Sequence, residues 1–110
     1  MKSYVIDELR YQDFEKLKAY LDEAYGQDPL GGLYWLPLPE DRLGPAQQGH
    51  DDCRPFCLAL ELLEDRLVCE LLVRTRERVR CDCIAYATAE QREWLLEVID
   101  AVFEKLELIA

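Results

Sequence analysis

The sequence has no long apolar segment: its longest uninterrupted apolar runs, 56–60 and 83–87, are five residues each. A membrane-spanning helix needs about 20 such residues, so no membrane span is predicted. The N-terminal segment turns acidic at Asp7 and Glu8 before an apolar stretch typical of a secretion signal could form. We therefore expect a cytoplasmic protein.

Positive charge is also scarce. Thirteen Lys and Arg residues stand against 23 Asp and Glu residues, which gives a net charge of -10. The mean field of such a protein repels phosphate, so a general nucleic-acid or anionic-membrane binder is not expected. Half of the 110 residues are hydrophobic, which excludes a disordered chain and predicts one domain over residues 1–110.

The hydrophobic pattern predicts an α+β fold. A strand over residues 3–9 precedes a helix that ends at Gly26, with Asp13 among the residues assigned to its solvent side. A strand at 33–36 should lie at a sheet edge, because Pro37 and Pro39 lack ladder donors. Residues 39–55 have no apolar period and predict a long loop, with a helical turn from Pro45.

Three alternating strands and a helix are predicted after this loop. A turn at 64–65 should pair Leu60 with Cys69 and Phe56 with Val73, and a turn at 76–78 should pair Val73 with Cys81 and Leu71 with Cys83. Thr88 and Gln91 form a capping-box pattern that opens a helix from Ala89 to about Glu107. The element order is β-α-β-β-β-β-α, with a mixed or antiparallel sheet of four to five strands and two helices packed on it.

One face of this predicted sheet combines positive and apolar side chains. Segment 74–80 carries four arginines and one glutamate. As residues of an interaction surface we name Arg74, Arg76, Arg78, Arg80, Leu72 and Tyr86. This face could be covered in two ways. The first helix could cross over it, or a partner chain could bind to it, and among partner chains a second copy of the protein is favoured. The alternative for the arginines is a solvated hairpin tip that pairs with nearby acids.

The cysteines lack the Cys-x-x-Cys spacing of common redox and zinc motifs, and their number, five, is odd. A closed disulfide framework is therefore not expected. The predicted register instead brings Cys81 and Cys83 towards the end of the sheet reached by His50 and Cys53. Because zinc binds thiolate sulfur and imidazole nitrogen in a tetrahedron, these four residues are a candidate zinc site. Cys57 should point away from them.

Two other roles remain open for these side chains. A free cysteine on the apolar face of a strand is often a packing residue, and this applies to Cys69, Cys81 and Cys83. Alternatively, Cys53 could act as a nucleophile with His50 as its base, in a thiol-dependent enzyme. The sequence offers no oxyanion site to support that chemistry.

The favoured hypothesis is a non-catalytic protein-protein interaction or accessory domain that binds a protein partner or a second copy of itself. The first alternative is a zinc-binding module, and the second is the thiol enzyme. No cofactor other than zinc is suggested, and neither a membrane nor a nucleic acid is expected as a partner.

Overall fold

The fold is defined over residues 2–26, 29, 31–77 and 80–108, which the computed structural model describes. Within these residues, two helices pack against an antiparallel sheet of six strands rather than four or five, and the predicted α+β class is confirmed. The elements are β1 (Ser3–Ile6), α1 (Tyr11–Tyr25), β2 (Leu33–Pro37), β3 (Phe56–Leu63), β4 (Arg66–Glu70), β5 (Leu72–Thr75), β6 (Ala85–Tyr86) and α2 (Ala89–Lys105). Strand β1 is shorter than the predicted 3–9.

Helix α1 ends where the sequence indicated. Gly26 adopts a positive φ of 73°, and its N–H donates to the Asp22 carbonyl at 3.1 Å. One assignment was wrong: Asp13 is fully buried rather than solvated. Arg10 donates to both of its carboxylate oxygens at 2.9 and 3.0 Å, which satisfies a charge that burial would otherwise disfavour.

Helix α2 begins with the predicted capping box. The Thr88 hydroxyl accepts from the Gln91 N–H at 3.2 Å, and the Thr88 N–H donates to the Gln91 side-chain oxygen at 2.9 Å. These bonds satisfy two backbone donors at the start of the helix. Leu95, Ile99 and Val102 form its buried stripe.

Both helices cover the same face of the sheet. Leu17 and Leu21 of α1 share one buried cluster with Leu95 of α2 and with Leu58 and Leu60 of β3. The α1 helix is fixed on this face because the hydroxyl of Tyr34, the β2 residue paired with Leu60, donates to Asp22. Helix α1 therefore does not cover the opposite face of the sheet. Coverage by α1 was one of the two predictions for that face.

Strand β2 lies at the edge of the sheet, as its prolines predicted. It pairs only with β3, from Leu33 opposite Glu61 to Pro37 opposite Cys57. The Leu38 N–H donates to the Phe56 carbonyl. Because backbone groups alternate in direction along a strand, the backbone of Pro37 points away from β3, towards the open edge. Proline has no N–H to offer there.

The predicted hairpin register holds only near the turn. Leu63 pairs with Arg66 and Leu60 with Cys69. Farther along, Phe56 pairs with Thr75 rather than with Val73. The register shifts at Leu71, whose N–H donates to Lys2 beside β1 and whose carbonyl accepts from Ala87 beside β6. Between the Leu60 pair and the Phe56 pair, the partner chain contains two more residues than β3, so the ladder is interrupted and β4 and β5 are separate strands.

The last predicted strand is mostly a turn. Only Ala85 and Tyr86 form β6, and Ala85 rather than Cys81 pairs with Val73. The Ile84 N–H donates to the Cys81 carbonyl at 3.1 Å, which closes a turn over residues 81–84. Cys81 and Cys83 are therefore not strand residues, and their predicted pairing with Val73 and Leu71 was wrong.

The predicted loop at 39–55 contains short helical turns. Two 3₁₀ turns span Glu40–Arg42 and Asp51–Cys53, and hydrogen-bonded turns fill residues 45–49 between them. Near the middle of the loop, the Gln47 N–H donates to the Gly44 carbonyl at 3.0 Å. These contacts direct the end of the loop towards the 81–84 turn.

In the described part of the chain, neither helix has the length and apolar character required to cross a bilayer.

Candidate metal centre

Four side chains meet where the loop approaches the 81–84 turn. They are the four named from the sequence, His50, Cys53, Cys81 and Cys83, and their potential ligand atoms all lie within 4.8 Å of one another. Cys53 and Cys83 are buried, whereas His50 and Cys81 are half-buried. The group thus sits at the surface end of the core, where an ion could enter from solvent.

Two of the six distances between potential ligand atoms match those of a tetrahedral site, and all six are within 4.8 Å. Tetrahedral zinc with Zn–S bonds of about 2.3 Å and Zn–N bonds of about 2.0 Å separates two sulfurs by about 3.8 Å and a sulfur from a nitrogen by about 3.5 Å. The Cys53 and Cys81 sulfurs are 3.8 Å apart, and the Cys81 sulfur is 3.4 Å from His50 Nδ1. The Cys53, Cys81 and His50 atoms are therefore already spaced for an ion, and the more distant pairs would have to move closer by up to about 1 Å.

The shifted strand register positions the loop side of the cluster. Because Phe56 pairs with Thr75, the end of β5 lies beside the chain that leads into β3. The buried Thr75 hydroxyl donates to the Cys53 carbonyl, and the Cys53 N–H donates to the His50 carbonyl at 3.0 Å. His50 and Cys53 are therefore presented together by one 3₁₀ turn that is anchored to the sheet.

A buried glutamine joins the other side of the cluster to the loop and to α2. Gln47 is 2% exposed. Its amide nitrogen donates to the Cys83 carbonyl at 2.8 Å, and its amide oxygen accepts from the Gly44 N–H at 2.9 Å and from Gln91 at 3.1 Å. Gly44 must be small here, because an added Cβ would lie 3.1 Å from the Gln47 oxygen and 3.2 Å from the Gln91 nitrogen. The ligands are thus held by a hydrogen-bonded frame.

The cluster favours ionisation of one thiol. The backbone N–H and thiol of Cys83, which bond to the Cys81 sulfur, lower the pKa of Cys81 to about 7, with smaller contributions from Cys53 and His50. Burial, together with the adjoining sulfurs of Cys81 and Cys53, raises the pKa of Cys83 to about 12. Cys81 therefore supplies a thiolate near neutral pH, whereas a metal must displace the proton of Cys83.

The other two cysteines lie outside the cluster. Cys57 is buried on the opposite sheet face, between Pro37 and Arg74 in the paired strands, as its alternation predicted. Cys69 is fully buried in the core, where burial raises its pKa to about 12. Packing thus accounts for Cys69, and it accounts in part for Cys83, which also borders the core.

The geometry does not favour Cys53 as a catalytic nucleophile. Its side chain is 1% exposed, so a substrate would have little access to the sulfur. The His50 ring nitrogen instead bonds to Cys81, at 3.4 Å. His50 and Cys53 are neighbours in the cluster, but they do not form the exposed base and nucleophile pair that the thiol-enzyme hypothesis requires.

The predicted interaction residues are spread over the uncovered sheet face and its margin. Arg74 is half-buried and forms an ion pair with Glu70, and the Arg76 guanidinium lies 5.3 Å from the ring centroid of Trp35. Leu72 is half-buried and pairs with Tyr86, whose ring lies 5.2 Å from the Lys2 ammonium. Arg80 is exposed, and Arg78 lies outside the described residues. At Arg74 the predicted pairing with a nearby acid is present.

Two residues of the supporting frame were not identified from the sequence. Gln47 follows no apolar period, and Thr75 was treated only as part of a charged hairpin tip. The capping-box pattern predicted that Gln91 lies at the start of α2. Its contact with Gln47 could not be predicted, because that contact depends on how α2 packs against the loop. Buried amides and hydroxyls of this kind become visible only when the distant chain segments are placed together.

Comparison with known proteins identifies no relative: no protein-family model, no curated protein and no solved structure matches the chain.

Proposed function

We propose that this protein is a non-catalytic, zinc-stabilised domain in which His50, Cys53, Cys81 and Cys83 hold one zinc ion. The observation that carries the proposal is the placement of one imidazole nitrogen and three sulfurs within 4.8 Å of one another. Residues 50 and 53 come from one segment and residues 81 and 83 from another, so an ion bound here would join the two.

The donor set favours zinc over harder cations. Calcium and magnesium prefer carboxylate, carbonyl and water oxygens, whereas thiolate and imidazole are ligands that zinc readily accepts. A tetrahedral site with three sulfurs and one nitrogen is of the Cys₃His type found in structural zinc domains. Protein ligands would fill all four positions and leave none open for water or substrate, which supports a structural role rather than a catalytic one.

The state of the thiols fits this proposal. All five cysteines are free of disulfides. Three of them converge on the site, and Cys81 has a lowered pKa that favours its metal-binding form at neutral pH. We propose that the protein works in a reducing compartment such as the cytoplasm, where such thiols remain available to bind metal.

The experiment is a zinc titration of the reduced protein after chelator treatment, with bound zinc measured by elemental analysis. We expect one equivalent of tightly bound zinc. Single substitutions to alanine at His50, Cys53, Cys81 and Cys83 should each weaken binding strongly, because each removes one of four ligands. Cys57→Ala and Cys69→Ala are matched controls, since they also remove buried sulfurs but should leave the stoichiometry at one.

Cobalt substitution tests the geometry independently. Co²⁺ bound by three thiolates and one imidazole should show the intense visible absorption of tetrahedral cobalt and a sulfur-to-metal charge-transfer band, and the Cys83→Ala variant should bind cobalt more weakly and lose about one third of the charge-transfer intensity per bound ion. Failure of the reduced protein to retain zinc at stoichiometric concentration would refute the proposal. Retention that survives loss of any two of the four ligands would refute this ligand set.

A further inference from the structure

Strand β1 is the edge of the sheet opposite β2, and it borders a groove. It pairs on one side with β4, from Ser3 opposite Glu70 to Ile6 opposite Leu67. On its other side lies a groove of about 490 Å³, lined by apolar side chains that include Tyr4, Phe103 and Leu108 and by the carboxylates of Asp7 and Asp100. The exposed fraction of the Val5 side chain is 46%, which is unusual for an apolar residue in the centre of a strand.

The backbone of β1 offers hydrogen-bonding groups on this open side. The Leu71 N–H donates to the Lys2 carbonyl at 3.0 Å, so residues 2, 4 and 6 direct their backbone groups towards β4. The groups of Ser3 and Val5 therefore point towards the groove. No strand among the described residues pairs with β1 there.

The charges flanking β1 have opposite signs at its two ends. Lys2 precedes the strand, whereas Asp7 and Glu8 follow it. Two copies of this strand aligned antiparallel about Val5 would place Ser3 opposite Asp7 and would bring Lys2 near the acidic end of the partner strand, although Glu8 itself has a positive φ of 57° and lies outside the extended strand. A parallel alignment would instead bring like charges together, which is unfavourable between neighbouring strands.

The sheet cannot continue to grow in the other direction. Its far edge is β2, where Pro37 lacks an N–H at an outward position and Pro39 follows. Prolines at an edge discourage the addition of another strand. Pairing through β1 alone therefore produces a dimer and not a longer assembly.

We propose that β1 is the interface of a homodimer, in which the β1 strands of two copies pair antiparallel about a two-fold axis at Val5. Each Val5 exchanges backbone hydrogen bonds with the partner's Val5, and the two sheets become one continuous layer. Because the axis is perpendicular to the sheet, the α2 helices of both copies lie on the same face. Their Phe103 and Leu108 side chains then meet across the axis and fill the two grooves.

The mass of the protein in solution tests the proposal directly. Sedimentation equilibrium from micromolar to near-millimolar concentration should show a reversible transition from the 12.9 kDa chain to twice that mass. In hydrogen exchange, the Val5 amide should become more protected as concentration rises, because only the dimer provides its acceptor. Both measurements should give the same dissociation constant with zinc and with chelator, because the proposed interface does not include the metal cluster.

Substitutions that reverse the charges at the two ends of β1 test whether β1 is the interface and whether the two strands are antiparallel. Lys2→Glu, and separately the pair Asp7→Lys and Glu8→Lys, should each raise the dimer dissociation constant by about tenfold or more, because attraction is replaced by repulsion at two symmetric places. The triple variant restores opposite charges and should regain most of the affinity. Glu23→Lys, a charge change on the exposed side of α1, is the control and should leave dimerisation unchanged.

Several outcomes would overturn the proposal. A monomer at all concentrations would do so and would leave the edge available to a strand of another protein. A dimer that is insensitive to both charge variants, or a triple variant no tighter than either of its parents, would place the interface elsewhere. The rescue in the triple variant also excludes misfolding as the cause of weak dimerisation, because a misfolded chain would not recover its affinity.

Discussion

Zinc should stabilise the folded protein by an amount that the chain separation of its ligands makes large. Cys53 and Cys81 are 28 residues apart in sequence. By the chain-entropy relation for cross-links, joining residues at this separation removes about 3–4 kcal/mol of unfolded-state freedom at 25 °C. Mass action gives a similar scale, since a free zinc concentration 100 times the dissociation constant adds about 2.7 kcal/mol to the free energy of unfolding.

The assay is thermal unfolding of the reduced protein with buffered free zinc and with chelator. For a domain of this size, about 3 kcal/mol corresponds to a rise in Tm of about 10–20 °C. The quantity to compare is the zinc-dependent increment within each variant, because removing any buried sulfur also lowers the stability of the metal-free protein. Cys83→Ser should lose the increment, whereas Cys57→Ala should keep it.

An increment below about 2 °C in the wild-type protein, with zinc shown to be bound, would refute the cross-linking argument. It would mean that the ion binds to segments that are already held together, or that it binds the unfolded chain equally well. An equal increment in the Cys83→Ser variant would show that the stabilising ion is bound somewhere else.

Three further predictions concern the surroundings of the cluster. Gln47→Ala should weaken zinc binding by about 10–100-fold, because this amide orients the backbone of a ligand, whereas its exposed neighbour Gln48 should tolerate alanine. Thr88→Ala should lower the free energy of unfolding by about 1 kcal/mol in urea titrations, through loss of the α2 cap. In the metal-free protein, iodoacetamide labelling of Cys81 should rise with pH through a midpoint near 7, because the thiolate is the reactive form. Buried Cys69, whose pKa is raised to about 12, should stay unlabelled over the same range.

Each of these predictions has a result that would contradict it. Equal zinc affinity in the Gln47 and Gln48 variants would remove the orienting role, and an unchanged urea midpoint would show that the cap is dispensable. A labelling midpoint for Cys81 near that of an ordinary thiol would contradict the hydrogen-bonded arrangement around its sulfur. Loss of labelling on addition of zinc would connect that arrangement to metal binding.

Local patterns predicted the parts of the fold that depend on neighbouring residues. The hairpin between β3 and β4 was predicted in the right register because a two-residue turn fixes the pairing next to it. The register then failed, because the change at Leu71 depends on Lys2 and Ala87, which are distant in the sequence. Asp13 failed for a related reason: helical periodicity assigns a side but does not reveal a nearby arginine that makes burial possible.

The candidate site was predicted as a set of residues but not as a structure. His50, Cys53, Cys81 and Cys83 converge as expected, although the strand pairing used to bring them together was wrong. They meet because the pairing of β5 with β3 is shifted by two residues from the predicted register, and because residues 81–84 form a turn in which Cys83 is buried. Residue chemistry was therefore a better guide to the site than the detailed register.

The separation of β4 from β5 at Leu71 has a mechanical consequence. On one side of this residue the sheet carries β1 and its open edge, and on the other it carries β6 and the segment that contains two of the proposed zinc ligands. Chelation of the metal, or oxidation of the thiols in the cluster, should therefore lower the stability of the β5–β6 half of the sheet first. The β1 edge would keep its shape, so the dimerisation that we propose for this edge should persist after removal of zinc.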